Sequence, residues 1–120
     1  MEAFEKIYVN GVFVIAANLS YGTINEAKPF RKIVKEDINS GHTKLVIDIS
    51  KCGYIDSSFF GVIIMASKML IDIGYKLKVV KPNVAGEFIF ISTDTIRLLD
   101  IYKTREEAIK SFEEDIQPES

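Results

Sequence analysis

The spacing of apolar and polar residues changes along the chain, and each change predicts a different element. Near the start, the apolar and β-branched runs 6–9 and 12–16 are separated by Asn10-Gly11. Asparagine followed by glycine between two such runs is typical of a tight hairpin, because both residues accept a positive φ. The chain is therefore expected to open with two antiparallel strands.

The next segment, 23–40, has apolar residues at helical spacing with charged residues between them. Thr23 and Glu26 have the form of a capping box, and Gly41 stands where the helix should stop. Pro29 lies late for a helix start, so the pattern allows a kink or a delayed start.

After this helix, apolar strand-like runs alternate with helical patterns. Such alternation indicates a single α/β domain over residues 1–120, with a mostly parallel sheet opened by the antiparallel hairpin. The acidic tail 113–120 is expected to fray. In the overall order ββαβαβαβα, the remaining strands are predicted at 44–49, 75–80 and 98–102, and the remaining helices at 57–73, 82–91 and 104–112.

Composition removes several classes of function. Fifteen basic and 17 acidic residues give a net charge of -2, which argues against direct nucleic-acid binding. One cysteine and one histidine leave no disulfide and no zinc-ligand set, so neither a metal nor a cofactor is expected. Cys52 is predicted to be an unreactive small residue. Without a signal peptide or a membrane-spanning run, a cytoplasmic protein is expected.

Segment 45–61 carries the most information about function. It reads Leu-Val-Ile-Asp-Ile-Ser-Lys-Cys-Gly-Tyr-Ile-Asp-Ser-Ser-Phe-Phe-Gly, a buried strand and a loop that leads into a helix at Asp56-Ser57-Ser58. These three residues are good N-caps, and capping alone would explain them. Alternatively, one serine hydroxyl accepts a phosphate, which the positive end of a helix receives well.

The helix that begins at Ser57 is apolar around much of its circumference, so it is either deeply buried or docked by a partner. A second apolar arc is formed by Phe60, Ile64 and Ile71, with Gly61, Lys68 and Asp72 beyond it. A neighbouring helix could also cover this arc. The predicted core stripe consists of Phe59, Val62, Ile63, Ala66, Leu70 and Ile73.

The motif Leu-Val-Ile-Asp-Ile-Ser…Tyr-Ile-Asp-Ser-Ser…Gly resembles the signature of STAS domains, the fold of bacterial anti-sigma-factor antagonists. The resemblance covers nearly the whole chain, including the opening hairpin and the closing Ile-Tyr-Lys-Thr-Arg-Glu-Glu-Ala-Ile-Lys-Ser-Phe segment. It implies a non-enzymatic regulator of transcription that acts by partner switching.

In such antagonists the serine after the motif aspartate is the phosphorylation site, and this position is Ser57. The resemblance implies that an anti-sigma factor, which is also a serine kinase, binds the unphosphorylated form. Phosphate blocks docking and a phosphatase restores it. Asp48, Asp56 and Ser58 would surround the phosphoacceptor. The implied partner surface on the helix comprises Phe60, Gly61, Ile64, Lys68 and Ile71.

Two departures from the family pattern favour a second interpretation. Phe59-Phe60 replaces the usual Gly-Leu, and Ser20 stands where an acidic residue is expected near the phosphoacceptor. The alternative is a structural STAS subunit of a signalling scaffold or lipid-transport complex, without phosphorylation. A small nucleotide-binding module is a third interpretation, which only the helix N-terminus supports. The exposed aromatic arc would also allow a homodimer.

Overall fold

The computed structural model describes residues 2–82 and 97–114. The helix predicted at 82–91 lies outside these ranges apart from Pro82, as does the tail beyond Glu114. In chain order the elements are β1 (Phe4–Val9), β2 (Val12–Ala17), β3 (Tyr21–Gly22), α1 (Ile24–Asn39), β4 (Leu45–Asp48), β5 (Tyr54–Ile55), α2 (Ser57–Asp72), β6 (Leu77–Val80), β7 (Leu99–Tyr102) and α3 (Arg105–Glu114).

The central sheet has five strands in the order β1-β2-β4-β6-β7. Strands β1 and β2 are antiparallel, and the other neighbours are parallel, which confirms the predicted fold class. A second, two-stranded parallel sheet pairs β3 with β5. The sequence pattern missed this small sheet, because a two-residue strand is too short to show a period.

The hairpin turn and the start of α1 are both set by residues at those positions. Asn10 and Gly11 have φ of 52° and 78°, so the hairpin turn is confirmed. Helix α1 begins at Ile24, where Thr23 and Glu26 form the capping box. A delayed start is therefore wrong, and Pro29 lies inside the helix.

The sheet is covered on both faces. Helices α1 and α2 pack on one face over the main core, which includes Phe30, Val34 and Ile47. Helix α3 covers the other face, where Ala108 and Phe112 pack with valines of β2, β4 and β6. Helix α3 includes Glu113 and Glu114, so the expectation that the frayed tail starts at residue 113 is wrong for these two residues.

Three stacked phenylalanine rings tie β1 to both helices of the main core. The centroid of Phe30 lies 5.1 Å from that of Phe4 and 4.6 Å from that of Phe59. Phe59 and the next four residues of the predicted stripe are fully buried, but Ile73 is 52% exposed. Ile73 lies outside the core because α2 ends at Asp72 and the chain turns away at Gly74, whose φ is 91°.

Candidate functional site

Ser57 is the first residue of α2 and is exposed to solvent. Ser58 follows it in the first turn and is half-buried. Asp56 is the N-cap, with an extended backbone at φ -90° and ψ 175°. The motif therefore presents one freely accessible hydroxyl at the positive end of a 16-residue helix.

Asp56 holds the amino ends of two helices at once. Its Oδ1 accepts the Phe59 N–H of α2 at 2.9 Å, and its Oδ2 accepts the Ile24 N–H of α1 at 2.9 Å. Its own N–H donates to the Gly22 carbonyl at 2.9 Å. The capping interpretation of Asp56 is confirmed. Because both oxygens are engaged, the backbone that carries Ser57 is firmly placed against α1.

The Asp48 carboxylate, predicted to lie beside the phosphoacceptor, is buried and bonded elsewhere. Its Oδ2 accepts the Arg105 Nε–H at 2.8 Å, and its Oδ1 accepts the Ser50 N–H at 2.9 Å. The resulting ion pair joins the end of β4 to the start of α3. Sequence reasoning missed Arg105, although it lies at the start of the helix predicted at 104–112.

The implied partner face of α2 is only partly open. Gly61 and Lys68 are exposed, as is Ile71. Phe60 and Ile64 are half-buried and pack against the main core. Within the second arc, Phe60 and Ile64 thus contribute only part of their side chains to the surface, whereas Ile71 is 42% exposed.

A second exposed apolar surface lies at the small β3–β5 sheet. Tyr21 pairs with Tyr54, so both side chains stand on the same face of strands about 4.8 Å apart. Tyr21 and Tyr54 are 66% and 53% exposed, and Ile24 is 66% exposed. We call these three residues the tyrosine platform. It adjoins Ser57 through Asp56, and the sequence pattern gave no sign of it because strands this short escape periodicity.

Ser20 and Phe59-Phe60, the two places where the sequence departs from the family pattern, lie at the same end of the molecule as Ser57. The Ser20 carbonyl accepts the N–H groups of Gly53 and Tyr54 at 2.8 and 3.2 Å, so Ser20 sits beside the loop that leads to Ser57. The Phe59 ring is fully buried in the aromatic stack. The Phe59 side chain therefore fills the core.

Cys52 lies in the same loop but is buried. Burial, with a smaller effect from the Asp48 charge, raises the pKa of its thiol to about 11. Since the thiolate is the reactive form, this cysteine is inert at neutral pH, as predicted. Within residues 2–82 and 97–114, no cluster of three acidic, histidine or cysteine side chains could hold a metal, and no helix is long and apolar enough to span a bilayer.

Residues 3–108 match the family model described as the STAS domain. The chain belongs to the STAS domain family. A relative of this STAS protein, a candidate anti-sigma factor antagonist of Thermotoga neapolitana, is 31% identical over 91 residues, which cover 75% of this chain and 80% of the relative.

Solved structures agree with the family. The crystal structure of a candidate anti-sigma factor antagonist from Thermotoga maritima has a TM-score of 0.79 at 29% identity, covering 90% of this chain and 92% of that one. The unphosphorylated form of the anti-sigma factor antagonist SpoIIAA has a TM-score of 0.68 at 16% identity, covering 95% and 100% of the two chains. The second likeness concerns the fold alone.

Proposed function

We propose that this STAS protein is an anti-sigma-factor antagonist that works by partner switching, with Ser57 as the phosphoacceptor. The unphosphorylated protein binds an anti-sigma factor that is also a serine kinase. Phosphorylation of Ser57 releases that partner, and a phosphatase reverses the change. The protein itself has no catalytic role.

One observation carries the proposal: Ser57 is exposed at the first position of α2, in a backbone that Asp56 fixes against α1. A kinase can reach this hydroxyl without unfolding the helix. The related candidate antagonists of Thermotoga support the same role. SpoIIAA, which shares the fold, has been solved in phosphorylated and unphosphorylated forms.

The proposed switch is electrostatic. The tyrosine platform and the open part of α2 offer apolar surface, whose burial stabilises docking by roughly 25 cal/mol per Å² before association costs. A phosphate on Ser57 adds about -1.5 to -2 charges beside that surface. Docking would then desolvate a dianion next to the Asp56 carboxylate, and a loss of about 100-fold in affinity is expected.

A structural STAS subunit without phosphorylation is the second candidate, and Ser20 favours it. Ser20 sits beside the loop leading to Ser57, where the family pattern has an acidic residue. A kinase that reads this acid would find none. In this case the tyrosine platform would hold a constant partner in a signalling scaffold or lipid-transport complex.

Intact-mass spectrometry after incubation with ATP and the organism's anti-sigma kinases tests the phosphoacceptor. One added phosphate is expected on the wild type and on Ser58→Ala, and none on Ser57→Ala. Ser58 is the matched control because it lies in the same helical turn. The absence of phosphate from all three proteins would favour the structural subunit.

Calorimetric titration with the anti-sigma factor tests the release step. Ser57→Asp is expected to weaken binding about tenfold, less than a phosphate because it adds only one charge. Ser58→Asp should have a smaller effect, since Ser58 is less exposed. An affinity unchanged by Ser57→Asp and by the phosphate would contradict partner switching.

A further inference from the structure

A groove opens at the edge of the sheet opposite to Ser57. It encloses about 670 Å³, within the range of about 300–1,000 Å³ typical of small-molecule sites. It lies where the parallel strands begin, because Lys44, Lys76 and Arg97 stand just before β4, β6 and β7. The end of α2 supplies Ile71 and the loop after it.

The charges at this groove are predominantly positive. Lys76 Nζ lies 3.1 Å from an Asp100 carboxylate oxygen, so its charge is largely offset. Lys44 and Arg97 are exposed, and within the described residues neither side chain has an ion pair or a hydrogen bond. Two cations therefore remain to attract an anion into the groove.

Among the described residues that line the groove, the side chains of Ile71, Tyr75 and Phe112 supply apolar surface. Phe112 comes from α3, and its ring packs with Ala108 and the valines on the face of the sheet that α3 covers. Ile71 and Tyr75 are 42% and 43% exposed, so both keep apolar surface in water. Burying that surface would be favourable, and the groove accordingly combines a cationic rim with an apolar wall.

We propose that this groove binds a small organic anion with an apolar body, of the fatty-acid type. Lys44 and Arg97 bind its carboxylate, and Ile71, Tyr75 and Phe112 contact its chain. The groove lies far from the proposed phosphoacceptor, because the step of 14 residues from Ser57 to Ile71 corresponds to about 21 Å along the axis of α2. Ile71 itself also belongs to the implied partner face of α2. Binding in the groove does not depend on phosphorylation.

Three probes distinguish the contribution of the anionic head group from that of the apolar chain. Decanoate carries the head group and the chain, acetate only the head group, and decyltrimethylammonium the same chain with the opposite charge. Titrations are followed by amide chemical shifts in ¹H–¹⁵N spectra of the full chain. Decanoate is expected to give saturable shifts centred on Ile71, Gly74 and Tyr75, whereas the other two probes should not.

Variants identify the cations. Arg97→Gln and Lys44→Gln are each expected to weaken decanoate binding about tenfold, since each removes a charge-assisted contact. Lys81→Gln is the matched control, because Lys81 follows β6 at the opposite end of the strand and is also exposed. The dispersion of the same spectra shows whether each variant is folded.

Three results would overturn the proposal. The first is that millimolar decanoate causes no shifts in the wild type. The second is that decyltrimethylammonium binds as tightly as decanoate, which would show an apolar surface without selectivity for anions. The third is that Lys81→Gln weakens binding as much as Arg97→Gln, which would show only a general attraction to net charge. Ser57→Ala should bind decanoate like the wild type.

Discussion

The two oxygens of Asp56 cap two helices that are far apart in sequence. Asp56 follows Ile24 by 32 residues, yet its carboxylate accepts the first N–H of α1 as well as an N–H of its own helix. A cap is normally a local device within one helix. Here it also fixes how α2 meets α1.

Replacing Asp56 by alanine should therefore cost more than losing a simple cap. Each cap contributes about 1 kcal/mol, so Asp56→Ala is expected to lower the free energy of unfolding by about 2 kcal/mol. Thr23→Ala, which removes one capping side chain, should cost about half as much. Urea denaturation measures the free energy of unfolding of both variants.

The matched control is Asp72→Ala, an exposed aspartate at the other end of α2. It removes a negative charge from the negative end of the helix dipole, and stability should stay level or rise slightly. A loss for Asp56→Ala no larger than that for Thr23→Ala would show that only one of its two bonds contributes.

Phe59 illustrates what a sequence reveals about one residue and what it conceals. Helical spacing placed Phe59 on the core face, and the ring is buried there. Its fit depends on Gly22, where an added Cβ would lie 2.8 Å from the ring. Nothing in the linear pattern joins these positions, because their contact arises only when β3 packs over α2.

Between elements, the end of α1 is joined to the hairpin by a buried carboxylate. Asp37 lies 3.6 Å from the Lys6 Nζ of β1 and 3.8 Å from Nδ1 of His42. The His42 ring stacks on Phe13 of β2 at 4.2 Å. Burial raises the pKa of Asp37 above its ordinary 3.8, against the opposing effects of Lys6 and His42, with Glu36 adding to the rise.

This raised pKa makes a prediction about stability and pH. The folded state holds the Asp37 proton more tightly than the unfolded chain does, so its ionisation costs stability as pH rises through the raised value. Asp37→Asn should therefore be more stable than the wild type at neutral pH. The advantage should shrink as pH falls toward 3.8, where both states of the wild type become protonated.

Urea denaturation over this pH range checks the sign. Glu36→Gln provides the control, because Glu36 is the adjacent residue in α1 and is exposed. Its stability should follow that of the wild type more closely at every pH. A neutral-pH loss of stability in Asp37→Asn would show that the Lys6 and His42 contacts outweigh the cost of burial.

Elements with a strong local signal were predictable, and those made by tertiary contact were not. Asn10-Gly11 and the Thr23 capping box give the hairpin and the start of α1, since each acts on its own backbone. Strands β3 and β5 have two residues each. They form only because the chain before α1 meets the chain before α2, a contact that no local pattern describes.

Over the whole molecule, the two proposed surfaces lie at opposite edges of the sheet. The tyrosine platform and Ser57 lie beyond the carboxyl ends of the parallel strands, and the cationic groove lies at their amino ends. The position of Ser57 at an exposed helix start was predictable, because Asp56-Ser57-Ser58 is a local motif. Its role as phosphoacceptor stays a prediction. The tyrosine platform was not predictable, because it depends on the pairing of Tyr21 with Tyr54.

The platform makes a separate prediction for partner binding. Tyr21→Ser and Tyr54→Ser are each expected to weaken binding of the anti-sigma factor at least about tenfold, since exposed tyrosines are frequent anchors of interfaces. Stability should change little, because both side chains are in water. Calorimetric titration measures the affinity.

Tyr8→Ser is the control for this experiment. Tyr8 is also an exposed tyrosine on a strand, but it belongs to the hairpin, where it lies near Phe13 and His42. Its replacement should leave the affinity unchanged. An equal loss of affinity in all three variants would contradict a binding surface centred on the tyrosine platform.

The strand order of the central sheet has a consequence for biosynthesis. Strands β1, β2, β4, β6 and β7 lie side by side in the order in which the ribosome makes them. Each strand that emerges therefore finds its neighbour already synthesised. The face covered by α3 is different, because Ala108 and Phe112 are translated long after Val12 and Val46. That face remains uncovered until α3 has been translated, and it is the surface of the nascent chain that a chaperone would meet.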